Sequence, residues 1–360
     1  LNPRHVLFVQ KSAHKAGAQS CLERVLRQLG REALDPILLV SEEGWLTAEC
    51  RRNGLKVIRL PFPSSRSLAG RLYKIRSFGR QVEQELQRAG WQPPIVQGND
   101  HPEALLTLEL SRRLQAKSSV ILRTSAMARR DYFKYRCGRA DLLIGVSETL
   151  KEAVEVWDPG KQITVIPDGL CDEEFLPPKE PPAGAPGKIL VLGNSTAGKG
   201  WRDLMAALEA LKQERELPSL ELDFTDQRPR WMRSSSPGES PGLNFIGRHD
   251  DFCALVRRYD LVLNPSRTES FGMAALEVVA AGVPLLTSRS GVIEKIIQDT
   301  RFLFEPNNPR SLATALRDLL RNWPASEIDS AAAQRRLRER FHIGRSVHSL
   351  LEQYRTLVNG

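Results

Sequence analysis

The sequence predicts an α/β protein built on two mostly parallel sheets, and three observations predict it. Short apolar runs at residues 6–9, 37–40, 56–60, 95–96, 120–122 and 142–146 alternate with helical stretches such as 19–29 and 102–114. A strand-to-turn signal, Val165-Ile166-Pro167-Asp168-Gly169, is followed by a proline-rich stretch, Pro177-Pro178-Lys179-Glu180-Pro181-Pro182, with Gly184, Pro186 and Gly187 beyond. A second α/β series then begins at Lys188-Ile189-Leu190-Val191-Leu192-Gly193 and continues through runs at 220–224, 244–247, 260–263 and 284–287. The expected organisation is a Rossmann-like domain over 1–170, a stiff linker over 171–187 and a second Rossmann-like domain over 188–335. A tail over 336–360 supplies a last helix that crosses back to the first domain. Open α/β sheets bind ligands at the carboxyl ends of their strands, so two such domains facing one another would form a cleft.

Composition narrows the function classes. The chain has 360 residues, 41% hydrophobic and 26% charged, as in ordinary water-soluble proteins. It holds no run of about 18 apolar residues, so no transmembrane helix is expected. Leu1-Asn2-Pro3-Arg4 lacks the signature of a signal peptide, and the missing initiator Met suggests a trimmed start. The five cysteines, Cys21, Cys50, Cys137, Cys171 and Cys253, are scattered and form no C-x-x-C pair, which predicts reduced thiols in a cytoplasmic protein rather than disulfides or zinc.

All of the formal charge of +9 falls in residues 1–170, with 27 Lys+Arg against 18 Asp+Glu. Two clusters dominate: Arg66, Arg71, Lys74, Arg76 and Arg80, then Arg123, Arg129, Arg130, Lys134, Arg136 and Arg139. They read either as a solvated basic face or as a surface for anionic membrane lipid or an anionic substrate. No helix-turn-helix, zinc finger or aromatic RNA-binding motif accompanies them, so nucleic acid is not the expected partner.

The most informative segment is Thr268-Glu269-Ser270-Phe271-Gly272-Met273-Ala274-Ala275-Leu276-Glu277. It follows an apolar run and the turn Asn264-Pro265-Ser266, and its good helix formers end at Gly282. The N-terminus of that helix, opened by Gly272, suits a phosphate or polar sugar. Helical side chains tilt toward the N-terminus, so Glu277 should point back at such a ligand. Glu269 and Glu277 are either a first-turn acid and a paired helix acid, or acceptors for ligand hydroxyls. Gly193-Asn194-Ser195-Thr196-Ala197-Gly198-Lys199 matches G-x-x-x-x-G-K after a strand, but Gly200 stands where a P-loop needs Ser or Thr for magnesium. A glycine-rich loop with a lysine at a helix start remains a place for phosphate.

Together these segments resemble the family-4 retaining glycosyltransferases of the GT-B fold, in order and over nearly the whole chain. Ala16-Gly17-Ala18-Gln19 resembles the family's glycine-rich loop, and Ala140-Asp141-Leu142-Leu143-Ile144-Gly145-Val146-Ser147 the strand ending its acceptor domain. The Val165–Gly169 turn, Gly198-Lys199-Gly200, the Glu-x7-Glu segment from Glu269 to Glu277, and Ser290-Gly291 with Glu294 resemble the remaining motifs. The resemblance implies donor binding by Gly17, Ala18, Asn194, Lys199, Arg248, Glu269, Glu277 and the backbone of Phe271, Gly272, Met273 and Ala274. Glu269 would bind the sugar, Glu277 the ribose, and Lys199 the leaving diphosphate. Glu269, Lys199 and His101 are the candidate catalytic residues. Asn99, His101, Arg129 and Arg130 are the candidates for the acceptor.

Asn194 stands where the family carries an arginine, and Gln19 where it carries a glutamate. A neutral amide does not replace a bidentate phosphate ligand, so Arg202, Arg248 or Arg267 would have to compensate. The expected activity is transfer of a sugar from a UDP- or GDP-sugar co-substrate to a glycan, lipid-linked or other anionic acceptor. Anomeric configuration would be retained without a metal or other cofactor. The expected setting is cell-envelope polysaccharide synthesis in the cytoplasm, and the positive charge of the first half predicts peripheral contact at the inner membrane face. A non-catalytic sugar-nucleotide sensor, a GT-B epimerase and a P-loop NTPase are the alternatives.

Overall fold

The protein is described by a computed structural model covering residues 5–32, 34–63, 68–124, 127–214, 220–232, 242–247, 249, 251–323 and 328–359, without the side chains of 68–73. The chain divides into two compact units, residues 1–169 with 343–360, and residues 170–342.

In the first unit the strands are β1 His5–Gln10, β2 Asp35–Val40, β3 Lys56–Arg59, β4 Ile95–Gly98, β5 Lys117–Leu122, β6 Leu142–Gly145 and β7 Thr164–Val165. They form one sheet in the order β3-β2-β1-β4-β5-β6-β7, and every pairing is parallel. Parallel sheets are covered on both faces, which is why these strands read as near-continuous apolar runs. Against one face, Leu7, Val9, Ile37, Leu39 and Val96 pack with Ile75, Phe78, Val82 and Leu86 of helix Leu68–Arg88. The last helix, Ile343–Asn359, packs against helix Gly17–Arg31 within this unit. Tyr354 is fully buried there and its hydroxyl donates to Gln97 Oε1 in β4, which also accepts from Ser119 Oγ at 3.1 Å.

The second unit contains β8 Lys188–Val191, β9 Glu221–Phe224, β10 Gly242–Phe245, β11 Leu261–Asn264, β12 Leu285–Ser288 and β13 Leu303–Phe304. Their order is β10-β9-β8-β11-β12-β13, again with parallel pairings. The proline-rich stretch expected as a linker is fastened to this unit. Leu176 N–H donates to Ala280 O at 3.0 Å, Lys179 N–H to Gly282 O at 2.8 Å, and Trp323 Nε1–H to Pro182 O at 2.9 Å. Proline removes backbone donors, yet these bonds use the donors and carbonyls that remain. The division near the C-terminus falls between His342 and Ile343 rather than at 335/336, because helix Ser330–Phe341 stays with the second unit. Leu170 N–H donates to Phe341 O at 2.9 Å, tying the two ends of the second unit together.

Candidate functional site

The site in the second unit grows from the carboxyl ends of β8 and β11. After β8 the chain turns through Gly193 and Asn194, and Asn194 Oδ1 accepts from Thr196 N–H at 3.0 Å and Thr196 Oγ1 at 2.6 Å. The Asn194 side chain is thus spent on a local turn. A 3₁₀ turn over Ala197–Lys199 leads to Gly200 and helix Trp201–Gln213, whose buried Trp201 donates from Nε1 to Leu192 O at 2.9 Å. Gly200 has φ +69°, and a Cβ there would lie 1.7 Å from Pro265 O. Only glycine allows that approach. It also explains why the P-loop hydroxyl is missing: the position is filled by packing of one loop on the other. Arg267 N–H completes the junction by donating to Gly198 O at 2.8 Å.

The two spliced loops present their charges to each other. Lys199 Nζ donates to Glu269 Oε1 at 2.8 Å, with the side chains 32% and 16% exposed. The sequence reading assigns these residues to different parts of a ligand and does not foresee the pair. Gly272, at φ +94°, caps helix Met273–Ala280 without a side-chain bond. A helix start leaves its first N–H groups without intrahelical acceptors. Ala274 is exposed, Met273 and Glu277 are half-buried, and Phe271 is enclosed edge-on against Phe341 at 5.0 Å between ring centroids. Val292 N–H donates to Phe271 O at 3.2 Å, so the turn at Gly291 supports this loop from behind.

A buried polar ladder lies beneath. Ser266 Oγ donates to Asn264 Oδ1 at 2.9 Å, and Asn264 Nδ2 to Thr287 Oγ1 at 3.2 Å. Ser288 Oγ donates to Ser266 O and lies 3.0 Å from Ser290 Oγ. Satisfied networks of this kind rigidify the loops above them.

Two of the compensating arginines are committed elsewhere. Arg267 makes a bidentate pair with Asp203 at 2.6 and 2.7 Å, and Arg202 stacks on Trp231 with its guanidinium 4.2 Å from the ring centroid. Arg248 lies outside the described residues.

In the first unit, Gly17, Ala18, Asn99 and His101 follow the carboxyl ends of the central, adjacent strands β1 and β4. Gly17 opens helix Gly17–Arg31 with open space around it and no side-chain cap. Asn99 is fully buried. Its Nδ2 donates to Gln10 Oε1 at 2.6 Å and Ala18 O at 3.1 Å, and its Oδ1 accepts from Arg123 Nε at 3.1 Å. It therefore serves as a buried hub beneath the Gly17–Ala18 loop. Arg123 is corrected: it is buried rather than part of a basic surface, and pairs with Asp168. Burial opposes the Arg123 charge, but Asp168 outweighs that and raises its pKa. Sequence reasoning missed this pair, although both residues follow strand ends.

His101 Nδ1 lies 3.2 Å from Asp100 Oδ1, and its ring stands edge-on to Tyr135 at 5.5 Å. Asp100 also accepts from His101 N–H at 2.8 Å and Thr124 Oγ1 at 2.6 Å. Burial works to raise the Asp100 carboxyl, but the bonds from His101 and Thr124 win and hold it below the usual range. Arg129 and Arg130 are exposed on helix Arg129–Lys134, with the Arg129 guanidinium 5.5 Å from the Phe133 ring. Among the described residues, no group of three or more His, Cys, Asp or Glu is arranged to hold a metal. No helix among them is long and apolar enough to cross a membrane.

Comparison with known proteins gives this geometry a class. Residues 186–322, which hold Lys199, Glu269 and Glu277, match the family described as Glycosyl transferases group 1. HepE of Anabaena, solved in complex with UDP and glucose, superposes with a TM-score of 0.75 at 15% identity, covering 99% of this chain and 100% of HepE. The fold is therefore GT-B, and the family match falls within its second unit. Glycogen synthase of Mycobacterium tuberculosis is 29% identical over 240 residues, 64% of this chain and 54% of that protein. The lipopolysaccharide core biosynthesis mannosyltransferase LpcC of Rhizobium leguminosarum bv. viciae is 26% identical over 270 residues, 69% of this chain and 74% of LpcC. The match spans about half the length of the glycogen synthase.

Proposed function

We propose that the protein is a retaining, metal-independent glycosyltransferase that takes a sugar from a nucleoside diphosphate sugar. The observation that carries this reading is the Lys199–Glu269 pair beside the uncapped helix start at Gly272, within the segment that matches the group 1 family. In this reading the N–H groups of Met273 and Ala274 and the helix dipole bind the diphosphate. Lys199 neutralises the charge that builds on it as the glycosidic bond breaks, and Glu269 accepts hydrogen bonds from the sugar. Glu277 takes the ribose hydroxyls. The complex of HepE with UDP and glucose supports a UDP-sugar as the first donor to try, with GDP-sugars next.

The acceptor belongs to the first unit, with His101 and the exposed Arg129 and Arg130 as its contacts. The concentration of charge in residues 1–170 supports an anionic or lipid-linked glycan. Phe133, 47% exposed beside Arg129, supports peripheral contact with an anionic membrane at its cytoplasmic face. The name of LpcC supports a role in cell-envelope polysaccharide synthesis. A second reading, a sugar-nucleotide sensor without turnover, is favoured by the Asn194 turn, which puts a neutral side chain at the clamp.

The test is release of nucleoside diphosphate from UDP-, GDP- and ADP-sugars in the presence of lipid-linked glycan acceptors and excess EDTA. Transfer with the donor's anomeric configuration is the expected result. Saturable binding without transfer selects the sensor, and absence of any binding rejects both readings.

A further inference from the structure

We infer that the Lys199–Glu269 ion pair is a selectivity device: it lets the site favour an intact nucleoside diphosphate sugar over the spent nucleoside diphosphate. The inference rests on the function proposed above and adds a role that neither residue has alone. The lysine intended for phosphate is already neutralised, 2.8 Å from a carboxylate that is itself only 16% exposed. The two loops that carry the pair are fastened to each other through their backbones. Gly198 O accepts from Arg267 N–H, Gly200 sits against Pro265 O, and the Glu269 Cβ lies 3.2 Å from where a Cβ on Gly291 would stand. Arg267, two positions before Glu269, is engaged by Asp203.

The terminal phosphate of a nucleoside diphosphate must draw Lys199 away from Glu269 and leaves a partly buried carboxylate beside a second anion. Both consequences oppose binding. A nucleoside diphosphate sugar brings hydroxyl donors along with the phosphate. Glu269 can exchange the ammonium for those hydroxyls as Lys199 moves onto the diphosphate, so no charge is left unsatisfied. When the sugar departs, Glu269 loses its donors and reclaims Lys199, which weakens the hold on the product. The Glu269 contribution is thus conditional on the sugar, and specificity arises from the unpaired group that the wrong ligand leaves behind.

Calorimetric titration of the full chain with UDP, GDP and ADP, and with their glucose or mannose conjugates, tests this in the wild type, Glu269→Gln, Lys199→Met and the double variant. Glu269→Gln is expected to bind its preferred nucleoside diphosphate about tenfold more tightly than wild type, the scale of one charge-assisted hydrogen bond, without tightening on the conjugate. In the Lys199→Met background the same change should tighten binding clearly less than in the wild type, the residual gain being direct repulsion by the carboxylate and the difference being competition within the pair; an equal gain in both backgrounds overturns the competition. Equal or weaker nucleoside diphosphate binding by a folded Glu269→Gln, while the wild type binds the conjugate, overturns the inference alone. Wild type that binds neither ligand overturns the proposed function with it. Thermal unfolding of each variant identifies a misfolded one, and Glu269→Ala then repeats the comparison.

Discussion

Burial pushes the Glu103 carboxyl up to about 7, against the hydrogen bond from Lys11 N–H and with help from the Asp100 charge. Asp100 and His101 are the titratable groups beside it, at the end of β4. A carboxyl whose folded pKa lies above its unfolded value stabilises the fold only while protonated. Its contribution is complete below the ordinary carboxylate range and is lost as pH rises through about 7, at a cost of about 3 kcal/mol. Glu103→Gln should therefore flatten the fall in unfolding midpoint between pH 5 and 8 and be the more stable chain at pH 8. Thermal unfolding over that range checks it; an unchanged slope contradicts it. At this scale the sequence was partly legible. The local pattern named Glu269, Lys199 and Glu277, because loop and helix-start signals are short-range. It could not show that Lys199 and Glu269, 70 positions apart, meet. Nor could it show that Arg123 lies inside, since a run of basic residues looks alike whether one member turns inward or none does.

The loop between β8 and helix Trp201–Gln213 and the loop after β11 act as one element. Their junction depends on Gly200, where added bulk meets Pro265 O and the positive φ disfavours any L side chain. Gly200→Ala should cost at least about 2 kcal/mol and part Lys199 from Glu269, lowering affinity for a nucleotide sugar more than distant surface changes of equal stability cost. Chemical denaturation and ligand titration check this together, and a variant with wild-type stability contradicts the splice. Most strands were legible because a covered parallel sheet demands continuous apolar runs. Strand β13 was not, since two residues carry no period, and the fastening of 171–187 was hidden because its bonds reach residues more than a hundred positions downstream.

For the whole molecule, charge and matched domain divide cleanly along the chain. The net +9 lies in residues 1–170, whereas the group 1 match lies in 186–322. That separation supports assigning the acceptor to one unit and the donor to the other. The end of the chain rejoins the first unit, where the buried Tyr354 hydroxyl meets Gln97. The two-sheet plan was legible in the alternating pattern; the exact division at His342 was not, because a helix break does not say which side each helix packs on.

The central claim is that the second unit holds a nucleoside diphosphate sugar with Glu277 on the ribose. Calorimetric affinity of the full chain for its preferred nucleotide sugar, wild type against Glu277→Ala, tests it most directly. Loss of a charge-assisted hydrogen bond predicts a fall in affinity of at least about tenfold, with the fold intact by thermal unfolding. Affinity within about a factor of two of wild type contradicts the assignment.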